Sequence, residues 1–218
     1  MSLTVAESFQ STAVPAIYHI THIKNLERIV REGGLFCDRT AQDFKAVNIG
    51  HQHIKDRRLK RIVELSPGGT VGDYVPFYFA PRSPMLYVID RGGVIGYEDG
   101  QKPVVYLSSS TEAVSKAGLP FVFTEGHAEM AYTDFYNNLD DLDKVDWRLM
   151  GEKYWHDTDE DGDRKRRRQA EFLVHEFFPW RSVSYIGVYD RSIAENVDAI
   201  ISGQRHKPEF GIQTGWYF

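Results

Sequence analysis

Apolar and polar positions along this chain switch repeatedly between a two-residue and a helical period, and the switches divide it into short elements. Ala16-Ile-Tyr-His-Ile-Thr-His22 reads as a strand, and the segment from Lys24 to Glu32 puts Leu26, Ile29 and Val30 on one helical face before Gly33 and Gly34 stop it. Residues 48–65 read as a basic helix, Tyr74-Val-Pro-Phe-Tyr-Phe-Ala80 as a strand, and Ser83 to Ile89 as a short helix capped by Ser83 with Pro84 in its first turn. Val104-Val-Tyr-Leu107 and Phe121-Val-Phe-Thr124 add strands, with a helix from about Ser110 to Ala117 between them. From about Asp140 to Gln169 no period holds, so a long and largely irregular loop is expected, a length that usually marks function or mobility. The run Phe172-Leu-Val-His-Glu-Phe-Phe178, closed by Pro179, reads as a strand in or beside the core. A strand over Ser184 to Tyr189, a helix near Ile193 to Val197 and a final strand near Ile200 complete the chain.

This mixture predicts an α+β fold. With 218 residues, 42% hydrophobic and 13% aromatic, and with neither internal repeats nor a Pro/Gly-rich linker, the chain suits one globular domain over residues 1–218. Residues 1–14 are expected to be an N-terminal extension and 140–169 a long loop within that domain. The single cysteine, Cys37, excludes an internal disulfide and any multi-cysteine zinc or iron–sulfur site, and is expected to be a small core residue. The start Met1-Ser-Leu-Thr-Val-Ala-Glu-Ser-Phe-Gln10 lacks the basic and apolar stretches of a secretory signal, and no segment is long enough to cross a bilayer, so a cytoplasmic location without membrane contact is expected.

Charge changes the picture locally. The formal net charge of −5 argues against coating nucleic acid over the whole surface. Yet Lys55, Arg57, Arg58, Lys60 and Arg61 form one basic cluster, and Arg164 to Arg168 a second that comes directly after an acidic stretch. Two basic patches on an acidic protein suit local recognition of phosphates.

Most chemical constellations fail on spacing. Asp157-Thr-Asp-Glu-Asp-Gly162 copies the opening of a calcium loop, but its twelfth position is Arg168 where a bidentate glutamate is needed. His19 and His22 point to opposite faces of a strand, and His51 and His53 have no carboxylate partner in sequence, so no metal is expected. Ser66-Pro-Gly-Gly69 lacks the lysine of a phosphate-binding loop, and neither a nucleophile elbow nor a dinucleotide-binding glycine fingerprint is present. Glu171 stands out: it sits where the late strand meets the Arg164–Arg168 run, in a setting that can shift a carboxylate's behaviour far from bulk water. Taken alone, it favours the plainer reading of a strand-end glutamate salt-bridged to a neighbouring arginine.

A family resemblance adds to these readings. Tyr18-His-Ile-Thr-His-Ile-Lys-Asn-Leu26, Gly33-Gly-Leu-Phe36, the basic segment His51 to Arg61, Tyr74-Val-Pro-Phe-Tyr-Phe-Ala-Pro-Arg-Ser-Pro-Met-Leu86 and Gln169-Ala-Glu-Phe172 together resemble the DarT family of DNA ADP-ribosyltransferase toxins. The resemblance runs from Tyr18 to at least Pro179. It implies the ADP-ribosyltransferase-like fold, with mixed or antiparallel central sheets flanked by helices and the 140–169 loop recognising the acceptor ahead of the catalytic glutamate. It implies NAD as co-substrate, a base in single-stranded DNA as acceptor, thymine favoured over guanine, and a macrodomain antitoxin, DarG, as partner.

The same resemblance assigns residues. Glu171 and Arg57 are the implied catalytic pair, with Arg58 as the adjacent competitor to Arg57. A carboxylate beside the nicotinamide ribose stabilises the positive charge that builds on the ribose carbon as the glycosidic bond breaks. An arginine is suited to clamping phosphates or a base through paired donors, and its very high pKa makes it a poor proton acceptor, so Glu171 or water is expected to take the base proton. His19, Ile20, Thr21, Asn25, Leu35 and Arg57 are expected to hold NAD. Pro81, Arg82, Ser83, Pro84 and Met85, with Arg164, Lys165, Arg166, Arg167 and Arg168, are expected to hold the DNA strand, which must be unpaired for a ring nitrogen to be reached. Two other classes fit the residues: a transferase of the same fold acting on protein or RNA, and a nucleic-acid-binding module without catalysis.

Overall fold

The computed structural model describes residues 14–41 and 46–218. The expected N-terminal extension therefore lies almost wholly outside the described residues. In chain order the elements are β1 (Ala16–His22), α1 (Ile23–Arg31), β2 (Gly34–Phe36), α2 (Asp38–Ala41), α3 (Gln52–Arg58), β3 (Tyr74–Tyr78), α4 (Pro84–Asp90), β4 (Val104–Ser110) and α5 (Thr111–Lys116). They continue with β5 (Phe121–Thr124), β6 (Phe135–Tyr136), α6 (Trp147–Gly151), α7 (Arg164–Arg167), β7 (Glu171–His175), β8 (Phe177–Pro179), β9 (Tyr185–Val188), α8 (Arg191–Ile201) and β10 (Glu209–Ile212).

Eight strands form one sheet in the order β10-β9-β4-β1-β3-β7-β5-β6, and β2 pairs with β8 in a second, two-stranded sheet. Among the described residues only β10 and β9 run parallel; the other strand pairs are antiparallel. The central strands are apolar on both faces because both are covered, and their side chains split by the two-residue period. Val105 and Leu107 of β4, with Phe172 and Val174 of β7, join Ile17, Val75 and Phe77 in the larger core. Val104 and Tyr106 point the other way, against Leu86, Ile89 and Tyr217, while Leu173 meets Val63, Val71 and Val122. Each large side chain buried this way contributes about 1.5–3 kcal/mol. Helices α1 and α8 pack together over the larger core.

Several elements depart from the sequence reading. The basic helix expected over 48–65 shrinks to Gln52–Arg58, because Ile62 bridges to Thr70 and Val63 N–H donates to Gly69 carbonyl, which turns the chain back on itself. The strand expected from Phe172 to Phe178 breaks at Glu176, whose φ of 59° turns the chain from β7 in the large sheet to β8 in the small one. Neighbours brace that turn: Glu176 N–H donates to Asp73 carbonyl and Cys37 N–H to Glu176 carbonyl. The helix near Ile193 runs on through Ile201, capped by the Asp190 carboxylate on Ile193 N–H, so the expected strand near Ile200 is instead β10 at Glu209–Ile212. The 140–169 stretch carries α6 and α7 and is pinned by the buried indole of Trp155. Cys37 is buried. Among the described residues no helix is long and apolar enough to cross a membrane, and no group of His, Cys, Asp and Glu is placed to hold a metal.

Candidate active site

Between β1 and β3 the large sheet splits, and the split makes the site. These two strands share one register pair, Tyr18 with Tyr78, whereas β3 and β7 share five. The carbonyl of Pro76 points toward β1, where it is met by His19 Nδ1 at 2.8 Å. Proline has no N–H to offer on that side, so the ladder cannot continue and the strands part. A cavity of about 520 Å³ opens there, and a second of about 270 Å³ adjoins it. His19, Thr21, Asn25, Asp38 and Pro76 line both.

Glu171 forms part of the larger cavity's wall at the first residue of β7, in register with Tyr78. It is only 3% exposed. Three groups fix it. Arg58 Nη1 donates to both carboxylate oxygens, at 3.1 and 2.8 Å, Ala128 N–H donates to Oε1 at 3.2 Å, and Glu171 N–H donates to Thr124 Oγ1 at 3.1 Å. Arg58 is 5% exposed and lies 3.6 Å from Asp38 through Nε. Burial works against its charge, but Glu171 and Asp38 together hold its pKa above the ordinary arginine value. Burial first, and then the Glu171 charge, push the Tyr78 hydroxyl well above the usual tyrosine range, which keeps it a donor. Burial lowers His127, on the same wall, below the ordinary histidine value although Glu171 pulls the other way, so its imidazole is neutral at neutral pH.

The expected site residues divide into three sets. His19, Ile20, Thr21, Asn25, Pro84, Met85, Lys165 and Glu171 line the larger cavity, and Leu35 the smaller. Asn25 does structural service there, because its amide brackets the Val47 backbone at 2.8 and 3.0 Å and so holds the cavity's outer loop. Arg57 stands elsewhere: its side chain is 58% exposed and pairs with Glu129 at 3.1 Å on the outside of α3, while its neighbour Arg58 turns inward. The third set consists of cations already engaged. Arg164 pairs with Glu152, Arg166 with Glu125 at 2.6 Å and Asp163 at 2.7 Å, and Arg167 with Asp146 at 2.9 Å and with Asp161. Arg168 is buried, lowered to about 10 by that burial, and donates to the carbonyls of Met150 at 2.9 Å and Pro81 at 2.7 Å. Within this run only Lys165 faces the cavity, so the expected five-cation track does not form. Arg164, Arg166 and Arg167 spend their charges on carboxylates, most of them in the acidic stretch just upstream.

The Pro81–Met85 segment is likewise partly inward. Arg82 has a φ of 57°, its guanidinium lies 4.1 Å from the Phe218 ring centroid and reaches the Tyr217 carbonyl, and Ser83 Oγ accepts from Leu86 N–H as the cap of α4. Sequence reasoning did not single out Asp38, His127, Tyr87, Trp155 or His156, all of which line the larger cavity. None carries a local signal, since they reach the cavity from four separate segments of the chain. Tyr87, Trp155 and His156 stack edgewise or tilted on one another at centroid separations of 4.6 to 5.9 Å and make an aromatic wall beside Met85.

A carboxylate anchored by arginine at the wall of a split sheet, with a histidine on the facing strand, agrees with the relationships of the whole chain. Residues 18–218 match the family described as DarT, ssDNA thymidine ADP-ribosyltransferase. The chain belongs to the DarT family. Its activity is that family's, NAD-dependent ADP-ribosylation of single-stranded DNA, and its fold is the ADP-ribosyltransferase-like fold. A DNA ADP-ribosyl transferase from Thermus sp. strain 2.9 is 42% identical over 93% of this chain and 95% of its own length. Solved structures of the Thermus sp. 2.9 DarT superpose on it, the complex with ADP-ribosylated ssDNA at a TM-score of 0.89 (41% identity, 94% of this chain and 96% of that one) and the complex with NAD+ at 0.85 (40% identity, 94% and 98%). A DNA ADP-ribosyl transferase–glycohydrolase fusion protein of Thermosipho africanus is 26% identical over 86% of this chain and 46% of its own length.

Proposed function

We propose that this DarT-family chain transfers ADP-ribose from NAD to thymine in single-stranded DNA, with Glu171 as the carboxylate that serves the nicotinamide ribose and Arg58, rather than Arg57, as the arginine beside it. The observation that carries the reading is the fixed position of Glu171, held by Arg58 and Ala128 N–H in the wall of the larger cavity. That cavity falls within the range of about 300–1,000 Å³ usual for sites of small molecules and cofactors. Its polar groups suit a dinucleotide: His19 and Thr21 near the sugar and amide, and the buried Nη2 of Arg58, which has no hydrogen-bond partner among the described residues.

In the reaction the bond between ribose C1′ and nicotinamide nitrogen breaks, and its electron pair leaves on nicotinamide. Positive charge grows on the ribose. Glu171 faces that charge already oriented, so little reorganisation is needed as it forms. The thymine ring N–H, the one ring nitrogen not bound to deoxyribose, supplies the electron pair of the new bond and gives its proton to Glu171 or to water. Arg58 stays charged throughout and positions groups. The aromatic wall of Tyr87, Trp155 and His156, with Met85, suits an unstacked base. Lys165 at the cavity and Arg57 on the exposed face of α3 suit the strand's phosphates.

Permanent modification of DNA bases is toxic to the cell that carries it out, so a partner that removes ADP-ribose, a macrodomain antitoxin of the DarG kind, is the expected counterpart. The Thermosipho fusion of transferase and glycohydrolase supports that pairing. The test is incubation of the pure protein with NAD and oligonucleotides that contain thymine or guanine as their sole modifiable base, read by mass spectrometry. An ADP-ribose adduct on the thymine strands is expected. Adducts confined to guanine strands, or to protein or RNA supplied instead, would overturn the acceptor assignment.

A further inference from the structure

Arg58 carries one positive charge and meets two carboxylates. Its Nη1 holds Glu171 at 2.8 Å, and its Nε lies 3.6 Å from Asp38 Oδ2. All three side chains are buried, with Asp38 8% exposed. Asp38 opens α2, one residue after β2, and it lines both cavities, whereas Glu171 lines the larger alone. Had Arg58 met Glu171 alone, the pair would be neutral. The carboxylate's charge would then be largely cancelled by its own anchor just when the ribose carbon turns cationic. A second carboxylate on the other edge of the guanidinium leaves the trio with a net negative charge facing the junction of the two cavities, where low dielectric magnifies it.

We propose that Asp38 is a positioning residue for ADP-ribose transfer: it holds Arg58 by its Nε edge, so that the opposite edge presents Glu171, and it keeps the trio anionic toward the ribose. The proposal rests on the reading of Glu171 as the carboxylate that serves the ribose. Asp38 forms and breaks no bond in the step. The C1′–nicotinamide bond still breaks with its electron pair going to nicotinamide, and the base nitrogen still forms the new bond and loses its proton to Glu171 or water.

The experiment measures kcat and KM for NAD, together with thermal midpoints, for the wild type, Asp38→Asn and Asp38→Glu. Asparagine keeps the shape and removes the charge; glutamate keeps the charge. The expected result for Asp38→Asn is a fall in kcat on the order of tenfold to a hundredfold, toward the lower end of what losing a direct transition-state contact costs, with KM for NAD nearly unchanged. Asp38→Glu should recover part of the loss. A purely structural role would lower the thermal midpoint and leave kcat of the folded protein at the wild-type value, and that outcome overturns the proposal. So does a rise in KM with kcat unchanged. Should Asp38→Asn fail to fold, Asp38→Glu decides: lowered kcat at unchanged KM supports the proposal, and wild-type kcat overturns it. Absence of transfer by the wild type would instead overturn the reading of the site itself, a result the variants cannot mimic.

Discussion

Replacing Arg58 by methionine keeps the unbranched apolar stem of the side chain and removes its guanidinium and charge. Glu171 and Asp38 are then two buried carboxylates, 3% and 8% exposed, with no cation between them. Breaking a buried pair by deleting one partner costs about 3–5 kcal/mol, because the survivor remains buried and uncompensated. Arg57→Ala serves as the internal control: the Arg57 side chain is 58% exposed even though its partner Glu129 is only 9% exposed, and pairs open to solvent on the cationic side are worth little, about 0–1 kcal/mol. The assay is urea denaturation monitored by circular dichroism, with DNA modification measured on the same preparations. Arg58→Met should lose several-fold more stability than Arg57→Ala, and most of its activity. The pH dependence has a definite sign. In Arg58→Met the crowded carboxylates would have folded pKa values raised above their unfolded ones, so the folded state binds more protons and the deficit is largest near pH 7 and shrinks toward pH 5. A larger loss in Arg57→Ala, in stability and activity, would refute the assignment of Arg58 as the inward arginine.

Three further outcomes are expected. Gly34→Ala should lose more than about 2 kcal/mol, since a Cβ there would lie 2.2 Å from the Phe178 carbonyl and close to the Phe177 ring, and backbone that tight must shift; calorimetry reads the loss, and a thermal midpoint equal to wild type refutes it. Asp73 is held down to about 2, chiefly by its hydrogen bond with Arg39 and also by Thr70, so the stability it contributes is full above the ordinary carboxylate pKa near 4 and is lost as pH falls through about 2. Asp73→Asn should therefore cost on the order of 1–2 kcal/mol at pH 7 and progressively less between pH 4 and pH 2, measured by denaturation across that range. Lys165→Ala should weaken single-stranded DNA binding and reduce the salt slope by about 0.7, the value of one lost phosphate contact on a single strand, while Arg167→Ala, whose charge is spent on Asp146 and Asp161, should leave the slope near wild type; titrations at several salt concentrations distinguish the two.

What could be read from the chain, and what could not, divides along physical lines. Strand β1 and helix α4 were legible because their signals are local: an apolar run for the one, the Ser83 cap and Pro84 for the other. That Glu171 and His19 line the larger cavity agrees with the expectation drawn for Glu171 from its position between a basic run and an apolar strand, and for His19 from the family pattern. Glu176 was not legible, because its positive φ is imposed by backbone partners at Asp73 and Cys37, far away in sequence. The inward turn of Arg58 and the outward turn of Arg57 depend on where the short helix α3 lies against β7, which adjacent residues of the same type cannot reveal. Asp38 reaches the same guanidinium from twenty residues upstream and carries no motif of its own. The pairing of the Arg164–Arg168 run was there to be read: acidic residues from Asp146 to Asp163 immediately precede it, and opposite charges close in sequence tend to satisfy one another before they meet a ligand.

The central claim is that Glu171, fixed by Arg58, drives transfer of ADP-ribose from NAD to single-stranded DNA. The most direct measurement compares wild type with Glu171→Gln, which keeps the shape of the side chain and discards its charge, by mass spectrometry of a thymine-containing oligonucleotide incubated with NAD. The account predicts a mass-shifted oligonucleotide with wild type and almost none with Glu171→Gln. Equal modification by both proteins would contradict it.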